Sequence, residues 1–155
     1  VEGYEADDII ASIAYTTRSV DCQTLIVSTD QLMAQLLDNK THLYDHFKNQ
    51  PIDSKAISIR YGVKPEQLSD YFALTGSSSV NIPGISGIGP KSAAKLLTDF
   101  KNCEMLVNAP VWPEKFAKKL KGAEHAIYLY RALFMLRKDC PIHGNLKAWR
   151  ISQPT

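Results

Sequence analysis

The stretch NIPGISGIGPKSAA, residues 81–94, constrains the fold of this chain more than any other. Three closely spaced glycines, Gly84, Gly87 and Gly89, lead into Pro90 and then a run of helix formers, Lys91 to Leu97. Glycine accepts a positive φ without steric cost, so GISGIG can fold back on itself and bring bare backbone close to a partner. Proline at a first helical position loses nothing, because that N–H has no intrahelical acceptor. The pattern predicts a hairpin ending in a helix N-terminus, where free N–H groups near Gly89 and Lys91, the Lys91 ammonium and the Ser92 hydroxyl would hold a phosphate. Ile85 and Ile88 alternate with the glycines as anchors to a core. Turn carbonyls left exposed between them can hold a weakly hydrated cation. An ordinary Gly-rich helix cap would look similar. A dinucleotide fingerprint is set aside, because the spacing is G-x-x-G-x-G and no β-branched strand runs into it.

Charge is divided unevenly along the chain. Residues 1–84 hold 6 Lys/Arg against 11 Asp/Glu, a net of −5, and residues 85–139 hold 10 against 5, a net of +5. An acidic half followed by a basic half suggests metal chemistry in the first and polyanion binding in the second; two solvated faces would give the same count. With 155 residues and 45% hydrophobic content, there is enough chain for a sizeable core. Cys22, Cys103 and Cys140 have no CxxC or Cys/His spacing and are expected as buried thiols. The chain begins with Val and shows no signal-type or long apolar run, as expected of a piece of a longer cytoplasmic protein.

At the start, Glu5, Asp7 and Asp8 open the apolar-periodic run IIASIAY, which predicts a helix to about Arg18. Acidic residues suit a first helical turn. Glu5 and Asp8 are nevertheless i, i+3 neighbours of like charge, which a hard cation such as Mg²⁺ would relieve. TLIVS, residues 24–28, reads as a buried parallel strand. Thr29-Asp30 stands at its carboxyl end, where ligands of open α/β sheets collect, and Asp30 also suits the N-cap of QLMAQLL. Residues 41–44 form a second strand before a polar stretch. Helices are expected over DSKAISIRY, over PEQLSDYFALT and in three later segments, with Lys115, Lys118, Lys119 and Lys121 as a candidate phosphate-tracking face. KAWRI in the tail suggests an edge strand. Tyr44, Phe47, Tyr71, Phe72, Tyr128 and Tyr130 are expected to serve a core.

Gly3-Tyr4-Glu5-Ala6-Asp7-Asp8, Ser28-Thr29-Asp30, Tyr71 to Gly76, and Asn81-Ile82-Pro83-Gly84 through Ala93 occur in the order of the 5′-nuclease domain of bacterial DNA polymerase I and the flap endonucleases, and resemble it most in its stand-alone exonuclease IX type. The resemblance implies an α/β fold with a central, mostly parallel sheet over residues 1–75. A helix–hairpin–helix DNA-binding region over 76–155 would follow, with a C-terminal return to the core. It implies Mg²⁺- or Mn²⁺-dependent hydrolysis of DNA at a 5′ end or 5′ flap by a bacterial cytoplasmic monomer with no membrane role. Glu5, Asp7, Asp8 and Asp30 stand where the family has metal-binding carboxylates, with Asp7, Asp8 and Asp30 closest to catalysis. The carbonyls of Ile82, Ile85 and Ile88 would hold K⁺, while Gly84, Gly87, Gly89, Lys91 and Ser92 would meet DNA. The family's remaining carboxylates correspond to Leu32, Ser77 and Val80, so the second metal site is incomplete, and the family's first strand and arch precede these residues. A structure-specific duplex or flap DNA-binding protein with weak or no nuclease activity is the second reading; a soluble interaction protein is the third.

Overall fold

The structure is a computed structural model and describes residues 2–150. Helix α1, Ala6–Thr17, begins after Glu5 and turns a face of small residues, Ala11, Ser12 and Ala14, inward. Its narrow buried side lets the rest of the core approach closely. Strand β1, Thr24–Val27, pairs in parallel with β2, Thr41–Asp45, in the register Thr24↔Thr41 to Val27↔Tyr44. A third strand, β3, Gln50–Ile52, runs antiparallel to β2. The sheet is therefore mixed. Its order is β1-β2-β3, and β3 lies in the stretch that the sequence presented only as polar turn. Pro51 is tolerated there because β3 is an edge strand of three residues.

The expectation of a doubly buried β1 is corrected. Ile26 is buried, but Leu25 and Val27 are 62% and 57% exposed. An apolar β-branched run identifies a strand without saying how many of its faces are covered. Beyond β1 the chain enters a 3-10 helix, Gln31–Leu36, whose Met33, Ala34 and Leu36 are buried against α1.

Helix α2, Ser54–Tyr61, is capped by Asp53 at one end and closed by the left-handed Gly62 at the other. A 3-10 turn, Pro65–Gln67, runs directly into α3, Leu68–Thr75. Helix α3 is the axis of the helical part: six of its eight residues are buried, and it packs on α4, Pro90–Phe100, and on α7, Glu124–Phe134. Between them lie α5, Cys103–Val107, and α6, Glu114–Leu120. After α7 the chain returns to α1. The Cys140 amide donates to the Ser12 hydroxyl (3.0 Å), and the Gln35 side-chain amide donates to the Phe134 carbonyl (3.1 Å).

Three local expectations are adjusted. Lys147 to Trp149 lie in a turn and Arg150 is in no strand, while Ile151 lies outside the described residues. Cys103 and Cys140 are buried free thiols as expected, but Cys22 is only half-buried. Among the aromatics, Tyr71 belongs to the core, whereas Phe47 is 79% exposed at the turn after β2. No helix among the described residues is long and apolar enough to cross a membrane.

Candidate active site

Glu5, Asp7, Asp8 and Asp30 come from two elements, the start of α1 and the carboxyl end of β1. The parallel β1-β2 pair brings Asp30 to the end of the sheet where the first turn of α1 also lies. Their crowding is visible in Asp7, whose carboxyl is held above its usual range, first by burial and then by the charges of Asp30, Glu5 and Asp8. Two of the four already have protein partners. Asp30 Oδ1 accepts from the Leu32 amide at 2.8 Å, which makes it the cap of the 3-10 helix, and Asp8 Oδ1 accepts from the Arg137 amide at 2.8 Å. Glu5 precedes α1 without making a side-chain cap.

Among the described residues, no three Asp, Glu, His or Cys side chains converge closely enough to ligate one ion directly. Carboxylate oxygens are the donors a hard cation takes, so Asp7, Asp30 and Glu5 have the right chemistry for such an ion, although as placed they form no direct three-ligand set. Asp8 has one oxygen engaged by the Arg137 amide of the chain's return segment.

The raised carboxyl of Asp7 has a sign that can be tested. A group whose folded pKa lies above its unfolded value favours the native state below the unfolded pKa, and loses that contribution as pH rises through the folded one. Ionised Asp7 is thus a liability at neutral pH. Asp7→Asn is expected to raise Tm in EDTA at neutral pH by a few degrees at most, since ~1 kcal/mol moves Tm by roughly 2–4 °C at this size. The gain should vanish as pH falls towards about 4, where the carboxylates protonate. Differential scanning fluorimetry across pH reads both; a Tm lowered by the substitution at neutral pH would contradict the crowding.

In front of Asp30 opens a cleft of about 520 Å³, walled by Leu32, Arg60, Tyr61, Ser77 and Val80 among others. Leu32, Ser77 and Val80 thus face the same space as Asp30 and bring no charge to it.

The hairpin follows α3 directly. The Ser77 amide donates to the Ile82 carbonyl (2.8 Å), the Ile85 amide to the Leu74 carbonyl (2.8 Å), and the Ile88 amide to the Ile85 carbonyl (2.9 Å). Ile85 and Ile88 are buried, as anchors should be, at 7% and 4% exposure. Gly84 adopts φ 70° because its backbone is pressed against Gly76: a Cβ there would fall 2.8 Å from the Leu74 carbonyl oxygen and closer still to Gly76 itself. Its glycine is required by packing inside the protein. Gly89 is different. It is extended, exposed, and a Cβ on it would meet nothing within 4 Å, so the space beside it is open to a partner. Gly89 caps α4, Pro90 opens it, and Lys91 is exposed with Ser92 half-buried beside it. From α6, Lys119 Nζ reaches across to donate to the Gly87 carbonyl at 2.6 Å, joining the lysine-rich helix to the hairpin turn.

Models of the N-terminal resolvase-like domain and of the C-terminal SAM fold of 5′-3′ exonucleases match residues 1–62 and 63–155. The chain belongs to the 5′-3′ exonuclease family. Within the family, the Flap endonuclease Xni of Klebsiella pneumoniae subsp. pneumoniae is 40% identical over 152 residues, covering 97% of this chain and 61% of the relative. The Flap endonuclease Xni of Salmonella newport is 40% identical over 153 residues, with 98% and 61% covered. These relatives agree with the exonuclease IX likeness of the motifs, and the chain spans about 61% of their length. A mutant of the T5 5′-exonuclease shares the fold, with a TM-score of 0.78 at 23% identity over 86% of this chain and 56% of that one. A bacteriophage T5 flap endonuclease solved as a pseudo-enzyme-product complex with DNA and metal ions gives 0.76, covering 86% and 50%.

For a 5′-3′ exonuclease, the acid cluster and the hairpin were both legible in the sequence. No motif in the sequence marked Arg60, which lines the cleft with Asp30, or Asp70, which is 3% exposed and accepts from the Arg131 Nε (2.8 Å) and the Cys103 amide (3.0 Å). Only the apolar neighbours Leu68, Tyr71 and Leu74 on the same helix hinted that Asp70 faces inward.

Proposed function

We propose that this chain is the DNA-processing part of a structure-specific 5′ nuclease, hydrolysing phosphodiesters at a 5′ end or 5′ flap, with one divalent-ion site at the acid cluster. The observation that carries this reading is the placement of Asp7 and Asp30 together at the end of the parallel pair while the hairpin stands on α3 beside the same cleft. The curated relatives, whose names are flap endonucleases, support it. A bound Mg²⁺ or Mn²⁺ would supply the charge that stabilises the developing phosphorane and the hydroxide.

The chain's own residues do the rest. Glu5, Asp7 and Asp30 would hold such an ion through its waters, and Asp30 is itself fixed by its bond to the Leu32 amide. The helix N-terminus that Pro90 opens offers the N–H groups of Lys91 and Ser92 and the Lys91 ammonium to a duplex phosphate. A K⁺ ion would sit among the turn carbonyls; Ile82 and Ile85 each accept one backbone bond and keep a second lone pair for it. The lysines of α6 continue the track of positive charge away from the turn. The division between the acid-bearing and hairpin-bearing parts falls near residue 75, and a monomer in the bacterial cytoplasm suits these roles.

The test uses the full-length protein and a 5′-flap DNA with Mg²⁺. Asp30→Ala is expected to lower single-turnover cleavage by about 10³-fold, the order that loss of a main electrostatic contributor costs, while duplex binding changes little. Cleavage unaltered by Asp30→Ala would refute the assignment. The hairpin is tested separately by Gly89→Val: duplex affinity should fall about tenfold on any sequence, with Tm lowered only by the roughly 1 kcal/mol that a poorer N-cap costs, since a Cβ there meets nothing within 4 Å. Retained affinity would move the duplex to another surface. Binding without cleavage in the unaltered protein would favour the second reading, a structure-specific DNA-binding protein.

A further inference from the structure

The cleft of about 520 Å³ in front of Asp30 contains one anion, Asp30, and one cation, Arg60. Its remaining wall is uncharged: apolar and hydroxylic residues, including Leu32, Ser77 and Val80, and the amide of Gln31. One carboxylate does not neutralise a dication, so the fixed positive charge in this space is the guanidinium. Arg60 forms no ion pair among the described residues. It is held instead by Tyr61, with its guanidinium carbon 5.2 Å from the ring centroid. Tyr61 in turn is wedged edge-on between Tyr71 (5.3 Å) and Phe72 (5.4 Å), which makes it a rigid seat. Burial holds the Tyr61 hydroxyl above its usual pKa against the opposing pull of the Arg60 charge, with Asp30 adding to the rise.

An unpaired guanidinium stacked on a fixed ring, exposed to a cleft and presenting a planar fork of donors, is suited to an oxyanion with two acceptor oxygens. A free anion would be repelled by the acid cluster nearby. A phosphate carried on a strand whose duplex is gripped elsewhere would be delivered there regardless. We propose that Arg60, seated on Tyr61, is a positioning residue that holds one backbone phosphate of the single strand leaving the duplex. This rests on the nuclease reading above for its consequence on cleavage, but its binding readout does not depend on cleavage.

The experiment compares the full-length protein with Arg60→Ala and Arg60→Lys. Fluorescence anisotropy in EDTA measures affinity for three DNAs: a blunt duplex, the same duplex with a 5′ single-stranded overhang, and that overhang carrying a 5′-terminal phosphate. Arg60→Ala should lose about tenfold on the overhang DNA, the effect of one charge-assisted pair, and less than about twofold on the blunt duplex. Its salt slope on the overhang should fall by about one phosphate's worth. Arg60→Lys should recover part of the loss, since it restores charge without the fork. Equal loss on overhangs with and without the terminal phosphate identifies an internal phosphodiester; loss confined to the phosphorylated DNA identifies the 5′ monophosphate and overturns the backbone assignment. No loss on any overhang, or the same loss on blunt duplex, overturns the proposal. In Mg²⁺, Arg60→Ala should also slow single-turnover cleavage of a flap about tenfold. If the unaltered protein binds the overhang but never cuts, the nuclease reading fails while the Arg60 comparison still gives its answer. Arg60 is exposed, so unchanged Tm is expected for both variants.

Discussion

Gly84→Ala is expected to destabilise the native state by about 3 kcal/mol or more. Two costs combine. The residue sits at φ 70°, a conformation that costs an L side chain roughly 1–3 kcal/mol. A Cβ would also fall on the Gly76 backbone, and a further 1–3 kcal/mol is a typical cost of forcing atoms into a packed interior. Backbone cannot swing aside as a lysine side chain can. The relation is reciprocal: a Cβ at Gly76, at φ 74°, would lie 2.6 Å from the Gly84 nitrogen, so Gly76→Ala should cost a similar amount. Urea denaturation measures it. With a slope of roughly 1–3 kcal/mol/M, the midpoint should fall by at least about 1 M. Gly89→Ala is the control and should move the midpoint far less, because its site is open and only a poorer N-cap, worth roughly 1 kcal/mol at most, opposes it. Equal midpoints for all three variants would mean that the two glycines do not interlock.

Asp70→Ala is expected to cost about 3–5 kcal/mol, the usual result of leaving one member of a buried ion pair alone. Asp70 Oδ1 receives both the Arg131 Nε and the Cys103 amide. One carboxylate therefore ties α3 to α7 and to the first turn of α5. Its removal orphans a buried amide and leaves a guanidinium on a side chain only 29% exposed. Burial, the main cause holding the Cys103 thiol well above its usual pKa, persists when Asp70 is removed, so the thiol does not take over the role of the lost carboxylate. Asp70→Ala combined with Arg131→Met should recover part of the loss, because the second change removes the uncompensated charge. Additive losses in the double variant would show that the two side chains do not interact. Since α3 carries the hairpin, Asp70→Ala should also weaken duplex binding in proportion to the fraction unfolded, a dependence that Gly89→Val would not show.

Much of the candidate site was readable from residues alone. Pro90 after Gly89, the buried pair Ile85 and Ile88, and the cap at Asp30 each depend on neighbours within a few positions, and such local chemistry is written in adjacent letters. The strand β3 escaped because three residues containing a proline carry almost no periodicity. The exposure of Leu25 and Val27 escaped because hydrophobicity does not count the faces a sheet has covered. The three hairpin glycines looked alike in sequence and are not alike in space: Gly84 is there for Gly76, Gly87 lies under Lys119, and of these three Gly89 is the one that faces open space.

By itself, the sequence determined the mixed α/β class, the hairpin with its helix start, and the gathering of acid in the first half and base in the second. It did so because turn conformation, capping and amphipathic period are properties of short segments. Only the tertiary structure decided which acids lie close together, that Asp8 is spent on the Arg137 amide 129 positions away, that Asp70 is a buried hub, and that Arg60 and Asp30 line one cleft. Those outcomes depend on contacts between segments remote along the chain, and the residue types on either side of such a contact do not name their partner.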